Sequence, residues 1–347
     1  MNVRRHLLAG HVIPAHPLAL TARRTLDERH QRALSRYYMD AGAGGMAVGV
    51  HTTQFAIREH GMYRPVLELA ATTARHWHAD QAAPFALIAG ACGATVQAVA
   101  EAETAAALGY DAVLLSLGGL SDLTDAQLIR HCRAVADVLP LIGFYLQPAV
   151  GGRTLGWRFW RELAELPALV AIKIAPFNRY ATLDVVRAIV ESGRDDVALY
   201  TGNDDAIIPD LLTDVPCVAG GQRVTGRIVG GLLGQWAVWT HTAVDMLAQV
   251  KAARASGEGI AALLSTGAAL TDANAAIFDV AHAFAGCVPG IHEVLRRVGL
   301  LKGTWCLDPS ERLSEGQLAE IDRVTRTYPQ LTDDPFVAAH IDRWLAD

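Results

Sequence analysis

The sequence lacks a cysteine framework. Its five cysteines, Cys92, Cys132, Cys217, Cys287 and Cys306, form no CxxC pair; an odd, widely spaced set suits free thiols in a reducing compartment better than disulfides. It also lacks a basic excess. Lys and Arg total 30 against 36 Asp and Glu, a net charge of −6 with His neutral, which argues against a surface built to coat nucleic acid. Two uncharged apolar stretches come near membrane length. Stretches 84–100 and 228–244 carry no Asp, Glu, Lys or Arg, but Thr95, Gln97, Gln235 and Thr240 interrupt them, and both fall short of the roughly 20 apolar residues of a spanning helix. The first ten residues hold Arg4 and Arg5 with no adequate apolar run before Pro14, so no secretory signal is read there and a cytoplasmic protein is expected. Low-complexity linkers and an HExxH metal motif are missing too; His76 and His78 fall in a helical segment where positions i and i+2 diverge.

What the sequence does have is alternation. Hydrophobic residues make up 51% and charged ones 19% of 347 residues, which is ordinary globular usage and enough chain for one large domain or two medium ones. Short apolar runs at 11–15, 45–50, 85–89, 112–117, 141–146, 169–175, 197–201 and 216–219 read as strands, mostly separated by segments of helical period. Thr25-Leu26-Asp27-Glu28 and Thr124-Asp125-Ala126-Gln127 read as capping boxes. Thr95 is placed to cap the Ala-rich segment after it, and Gly42, Gly109 and Gly193 stand where helices should stop. Eight strands spaced by about 30 residues, the length of one βα unit, predict a (β/α)8 TIM barrel over 1–236 with a C-terminal helical extension over 237–347. The extension reads as helices at 242–255, 259–264, 273–285, 292–298, 315–327 and 335–345. A doubly wound open sheet is the alternative, but no GxGxxG follows the first strand.

Barrel chemistry sits at strand ends. The sixth run, Leu169-Val170-Ala171-Ile172-Lys173-Ile174-Ala175, sets a lysine inside an apolar strand, where desolvation favours the neutral, nucleophilic amine. An ion-paired structural lysine is the plain alternative. In the fifth run Phe144 and Tyr145 must point to opposite faces, and a Tyr hydroxyl near a desolvated lysine can relay protons. The second run ends in His51-Thr52-Thr53-Gln54, whose backbone N–H groups and hydroxyls suit an anion. The seventh ends in Gly202-Asn203-Asp204-Asp205, where Gly202 permits close backbone approach and the acids suit a helix start.

Taken in order, these pieces resemble the dihydrodipicolinate synthase and N-acetylneuraminate lyase family of class I aldolases over roughly residues 8–300. The family's Gly-Thr-Thr-Gly-Glu stretch is matched by His51-Thr52-Thr53-Gln54-Phe55, its Tyr-x-x-Pro by Tyr145-Leu146-Gln147-Pro148, its Gly-Ile-Lys by Ala171-Ile172-Lys173, and its Gly-x-Asp by Gly202-Asn203-Asp204. Tyr145 and Lys173 are 28 residues apart (173 − 145), as in the family. Residues 148–155 look more like the lyase branch. The synthase Tyr after strand four has no counterpart in 116–122, and the Asn after the catalytic Tyr is Leu146.

The resemblance implies that Lys173 forms a Schiff base with a 2-oxo acid such as pyruvate, with no cofactor. It implies that Tyr145 relays protons with Thr53 behind it, and that Thr52 and Thr53 hold the carboxylate. Gly202, Asn203 and Arg153 are the further substrate contacts. It also implies a homo-oligomer, dimer or tetramer. Two other readings are kept: a metal-dependent barrel enzyme using His51 with Asp204, Asp205 or His241, and a non-catalytic binder of 2-oxo acids or sugar acids.

Overall fold

A computed structural model describes residues 1–79 and 83–346. In chain order the strands are β1 (Val12–Pro14), β2 (Gly45–Val48), β3 (Ala86–Ala91), β4 (Ala112–Leu115), β5 (Leu141–Leu146), β6 (Leu169–Ala175), β7 (Ala198–Thr201), β8 (Asp214–Ala219), β9 (Gln222–Arg227) and β10 (Gly230–Leu233). The chain divides into two compact units, Met1–His11 with Ala86–Leu232, and Val12–Phe85 with Leu233–Asp347.

In the first unit, strands run parallel in the order β10-β7-β6-β5-β4-β3. Residues of β3 to β7 and β10 are buried throughout. That is the pattern of a parallel sheet covered on both faces, and it explains why these runs read as continuous apolar stretches rather than alternating ones. In the second unit β1 and β2 are joined by a parallel bridge between Ala15 and Ala47. Among the described residues the parallel strands total eight, and the fold is the expected (β/α)8 class.

The eighth parallel strand is not the one expected. Residues 216–219 lie in β8, which pairs antiparallel with β9, across Gly220 and Gly221 at φ +57° and +79°. Positive φ at both central residues is what a tight two-residue hairpin demands, and Gly-Gly supplies it. The eighth parallel strand is β10, whose glycines conceal it from a propensity reading. At Gly230 a Cβ would stand 2.5 Å from the His11 carbonyl oxygen and 2.9 Å from the Tyr200 ring, so close backbone approach overrides β-propensity there.

Helix ends follow local chemistry. The Thr124 capping box is present as read, opening Asp125–Ala136. Thr25 does not cap its helix. Asp27 does, its side chain accepting from the His30 N–H, and the helix runs Glu28–Asp40. Thr95 is the first residue of Thr95–Ala107 rather than its cap, and its hydroxyl bonds the His131 ring at 3.0 Å. Gly42, Gly109 and Gly193 take φ of +87°, +80° and +71°, the left-handed conformation that ends a helix.

The C-terminal part of the second unit is helical: Thr240–Ser256, Ile260–Ile277, Cys287–Arg297, Gln317–Thr327 and Asp334–Trp344. The segments read as 259–264 and 273–285 are one helix through Ile277, followed by Asp279, Ala283 and Phe284 at positive φ. By length and composition alone this helix could cross a membrane. In the structure Leu263, Gly267, Leu270 and Ala273 are buried, and the helix packs on Cys287–Arg297 and Gln317–Thr327.

Candidate functional site

Along β6 the side chains alternate, so Ala171, Lys173 and Ala175 share one face and Val170, Ile172 and Ile174 the other. Lys173 lies beside Phe144 of β5 and Tyr200 of β7 in the ladder. It is 7% exposed, and its Nζ stands 4.5 Å from the centre of the Phe144 ring, a cation–π contact when the amine is charged. Burial pulls the amine down to about 8, opposed by the Asp204 carboxylate, which raises it. Desolvation therefore wins over the single opposite charge. A Cβ on Gly202 would fall 2.8 Å from Lys173 Cε and 2.8 Å from Ala175 Cβ. Glycine is thus required where the turn after β7 lies against the lysine stem. Tyr200 keeps its hydroxyl occupied: it donates to the Leu7 carbonyl at 2.8 Å and accepts from the His11 N–H at 3.2 Å.

The structure does not bring Tyr145 onto this face. Its ring packs on Trp160 with centroids 5.2 Å apart, and its hydroxyl accepts from the Leu155 N–H at 3.2 Å. Gly143, two residues earlier and on the same face, looks onto Leu163 and Trp160, so this is the helix-covered side of β5. The cause is a register shift. Leu141 pairs with Leu169, an offset of 28, but Ile142 pairs with Ala171, an offset of 29 that holds through Leu146. One extra residue in β6 slips the ladder by one and exchanges the faces. Phe144, not Tyr145, is thereby set beside Lys173.

The other expected contacts have local partners. Thr52 Oγ1 donates to the Ala15 carbonyl at 2.7 Å and Thr53 Oγ1 to the His16 carbonyl at 2.6 Å. Thr53 Oγ1 also accepts from the Gly49 N–H at 3.0 Å. Both hydroxyls thus tie the end of β2 to the end of β1. Gln54 takes the left-handed conformation, φ +66°, at the position where the family motif has glycine. Its Oε1 accepts from the Leu307 N–H at 2.6 Å. His51 lines a cavity of about 150 Å³ with Gln54, Asp308 and Glu311; burial, aided by Asp308, raises the Glu311 carboxyl.

Asn203 is fully buried. Its Oδ1 accepts from the Phe177 N–H at 3.0 Å, and its Nδ2 donates to Thr182 Oγ1 at 3.1 Å and Asp210 Oδ2 at 2.9 Å. It holds the turn rather than facing Lys173. Arg153 donates to the Leu120 and Leu123 carbonyls at 2.8 and 3.0 Å, pinning the loop after β4. Among the described residues no group of three or more His, Cys, Asp or Glu is placed to hold a metal ion. Sequence reasoning missed Phe144 as the aromatic partner of Lys173 and Asp204 as the charge acting on it. The apolar environment of the strand pointed to the lysine, but spacing alone could not report the slip.

A model of the dihydrodipicolinate synthetase family matches residues 9–327. A 4-hydroxy-tetrahydrodipicolinate synthase of Cyanothece sp. is 28% identical over 233 residues, 65% of this chain and 73% of that protein. For other matched synthases, the aligned stretch spans less than two thirds of the relative. Among solved structures, a dihydrodipicolinate synthase from Acinetobacter baumannii complexed with pyruvate superposes with a TM-score of 0.74 at 18% identity, covering 92% of this chain and 98% of that one. The N-acetylneuraminate lyase from Fusobacterium nucleatum gives 0.72 at 17% identity, covering 92% and 99%. At these identities the two structures speak to fold, and the fold is the same.

Proposed function

This chain belongs to the dihydrodipicolinate synthetase family, and we propose that it is a Schiff-base lyase or aldolase in which Lys173 condenses with the ketone of a 2-oxo acid such as pyruvate. The observation that carries this reading is a lysine only 7% exposed inside an apolar, fully buried strand, where burial pulls its amine down to about 8. At that value roughly a tenth of the amines are neutral at pH 7, against fewer than about one in a thousand for an ordinary lysine. The neutral amine adds to the ketone carbon, the carbinolamine loses water, and the iminium left behind draws electrons from C3. Bonds at C3 can then be broken or made, which is the step shared by aldol cleavage and condensation. The pyruvate complex of the Acinetobacter protein supports a small 2-oxo acid as the substrate class. We place the protein in the cytoplasm and expect a homo-oligomer on the same family grounds.

The test is reductive trapping. Borohydride with pyruvate, or with one of a panel of 2-oxo acids, is expected to leave a covalent adduct located by peptide mass spectrometry on Lys173 and lost in Lys173→Ala. Its rate of formation should rise with pH through about 8, where half of the amines have lost their proton, and level off above it. Wild-type protein that yields no adduct with any member of the panel would remove the reading.

A further inference from the structure

If Lys173 forms the imine just proposed, the reading on which this inference rests, its amine must be held in one dry place. The short helix Ile207–Leu212 sets a single acid, Asp210, among apolar side chains, and Asp210 is 3% exposed. A carboxylate at that depth is costly unless hydrogen bonds and a counter-charge meet it. Here they do. Its Oδ2 accepts from the Thr201 hydroxyl at 2.6 Å and from Asn203 Nδ2 at 2.9 Å, and its Oδ1 is paired with the Arg179 guanidinium.

Thr201 and Asn203 are the two neighbours of Gly202, and both are fully buried. Thr201 Oγ1 also accepts from the Asn203 N–H at 3.1 Å. Between them the Gly202 N–H donates to the Ile174 carbonyl at 2.7 Å. A Cβ on Gly202 would stand 2.8 Å from Lys173 Cε and 3.1 Å from its Cγ, so this backbone lies directly on the lysine stem. Asn203 reaches the turn after β6 as well. Its Oδ1 accepts from the Phe177 N–H at 3.0 Å, and Phe177 has φ +51°, a conformation that a bulky residue keeps only where its surroundings enforce it. One carboxylate thus fastens the turns that follow the strand of Lys173 and the strand beside it.

We propose that Asp210 is a positioning residue of the imine site: by clamping Thr201 and Asn203 it keeps the Gly202 backbone pressed on the lysine stem, so that the amine stays beside Phe144 and away from water. It acts through the turn, not by contact with the reacting atoms. Charge and position then predict opposite signs. Phe144 and Tyr200 flank Lys173, the Asp204 charge acts on its amine, and the Arg179 and Asp210 charges act on Asp205. Taking an anion away at position 210 would, through space, lower the amine further. Loosening the turn admits water instead, and hydration raises the amine towards its ordinary 10.5.

The pH profile of borohydride trapping on Lys173 separates the two, with pyruvate or whichever member of the panel traps the wild type. Asp210→Asn keeps the size of the side chain but turns an NH2 group towards a donor. Its midpoint is expected to move up from about 8 by about one unit, so that trapping at pH 7 slows about tenfold. Thr201→Val should move the midpoint the same way, by more than Thr201→Ser, which keeps the hydroxyl. A midpoint that stays at the wild-type value or falls in folded Asp210→Asn overturns the assignment, because a merely structural role leaves the amine as it is. Where Asp210→Asn does not fold, an unmoved midpoint in Thr201→Val overturns it equally. Failure of the wild type to form any adduct is a separate outcome, which removes the imine reading and this inference with it.

Discussion

Replacing Lys173 by methionine is expected to stabilise the folded protein at neutral pH by about 2–3 kcal/mol while abolishing imine trapping. The stability gain follows from the lowered amine. The folded state holds this proton only below about 8, whereas the unfolded chain holds it up to about 10.5. Between those values the unfolded state binds more protons, so stability rises with pH. Below about 8 the full cost of keeping a charged amine in an apolar strand is present. Methionine has similar length and no charge, and its sulfur can lie against the Phe144 ring as the ammonium does. The variant's advantage should therefore be largest below pH 8 and fade by about 10.5. The Asp204 carboxylate, deprived of its cation, offsets part of the gain, and for that reason the expected value lies under the full linkage difference. Denaturant titrations of both proteins at several pH values measure it. A variant less stable than wild type at pH 7 would mean that Lys173 is a net structural asset, an ion-paired residue rather than a strained nucleophile. Stability lost in favour of chemistry at one residue is the usual trade at an active site.

The same residue marks how far the sequence could be read. An apolar run of seven residues with one lysine inside it was visible, and so was the βα alternation that sets the strand in a parallel sheet. Gly202 was legible as a place of close approach, and the approach is to Lys173 itself. Which aromatic meets the lysine was not. Chain spacing counts residues, whereas contact depends on the hydrogen-bond ladder, and a single extra residue in β6, opposite the step from Leu141 to Ile142, changes the offset from 28 to 29. Strand β10 was hidden for a related reason: its Gly230 answers to the backbone of His11 and the ring of Tyr200, which are distant in sequence. Thr52, Thr53, Asn203 and Arg153 have the residue types expected of a substrate site. Their hydrogen bonds to Ala15, His16, Phe177 and Leu120 could not be anticipated without the fold that brings those carbonyls and N–H groups within reach.

Asp333→Ala should destabilise the protein by about 3–5 kcal/mol, although Asp333 lies outside the residues 9–327 that match the family model. The carboxylate is 2% exposed. Its Oδ2 accepts from the Tyr37 hydroxyl at 2.6 Å and the His241 N–H at 2.7 Å. Its Oδ1 accepts from the Thr242 N–H at 2.9 Å and the Thr242 hydroxyl at 2.7 Å. Those two N–H groups belong to the first turn of Thr240–Ser256, whose donors have no partner within the helix. A carboxylate there serves as a remote cap and also meets the positive end of the helix dipole. Tyr37 completes the knot by accepting from the Thr240 N–H at 2.8 Å. Alanine would leave two half-buried N–H groups without their acceptor and reduce the Tyr37 hydroxyl to its longer bond with the Val238 carbonyl at 3.2 Å, and each lost partner is costly. Further along, Trp344 is fully buried and donates from Nε1 to Asp40 at 2.6 Å. The last helix is thus tied into the second unit at both ends. Thermal melting should show a fall on the order of 5–10 °C, with Asp333→Asn recovering part of it because one amide oxygen can still accept. A loss below about 1 kcal/mol, the scale of a surface ion pair, would show that water replaces the carboxylate at little cost and that these final residues are an accessory to the fold.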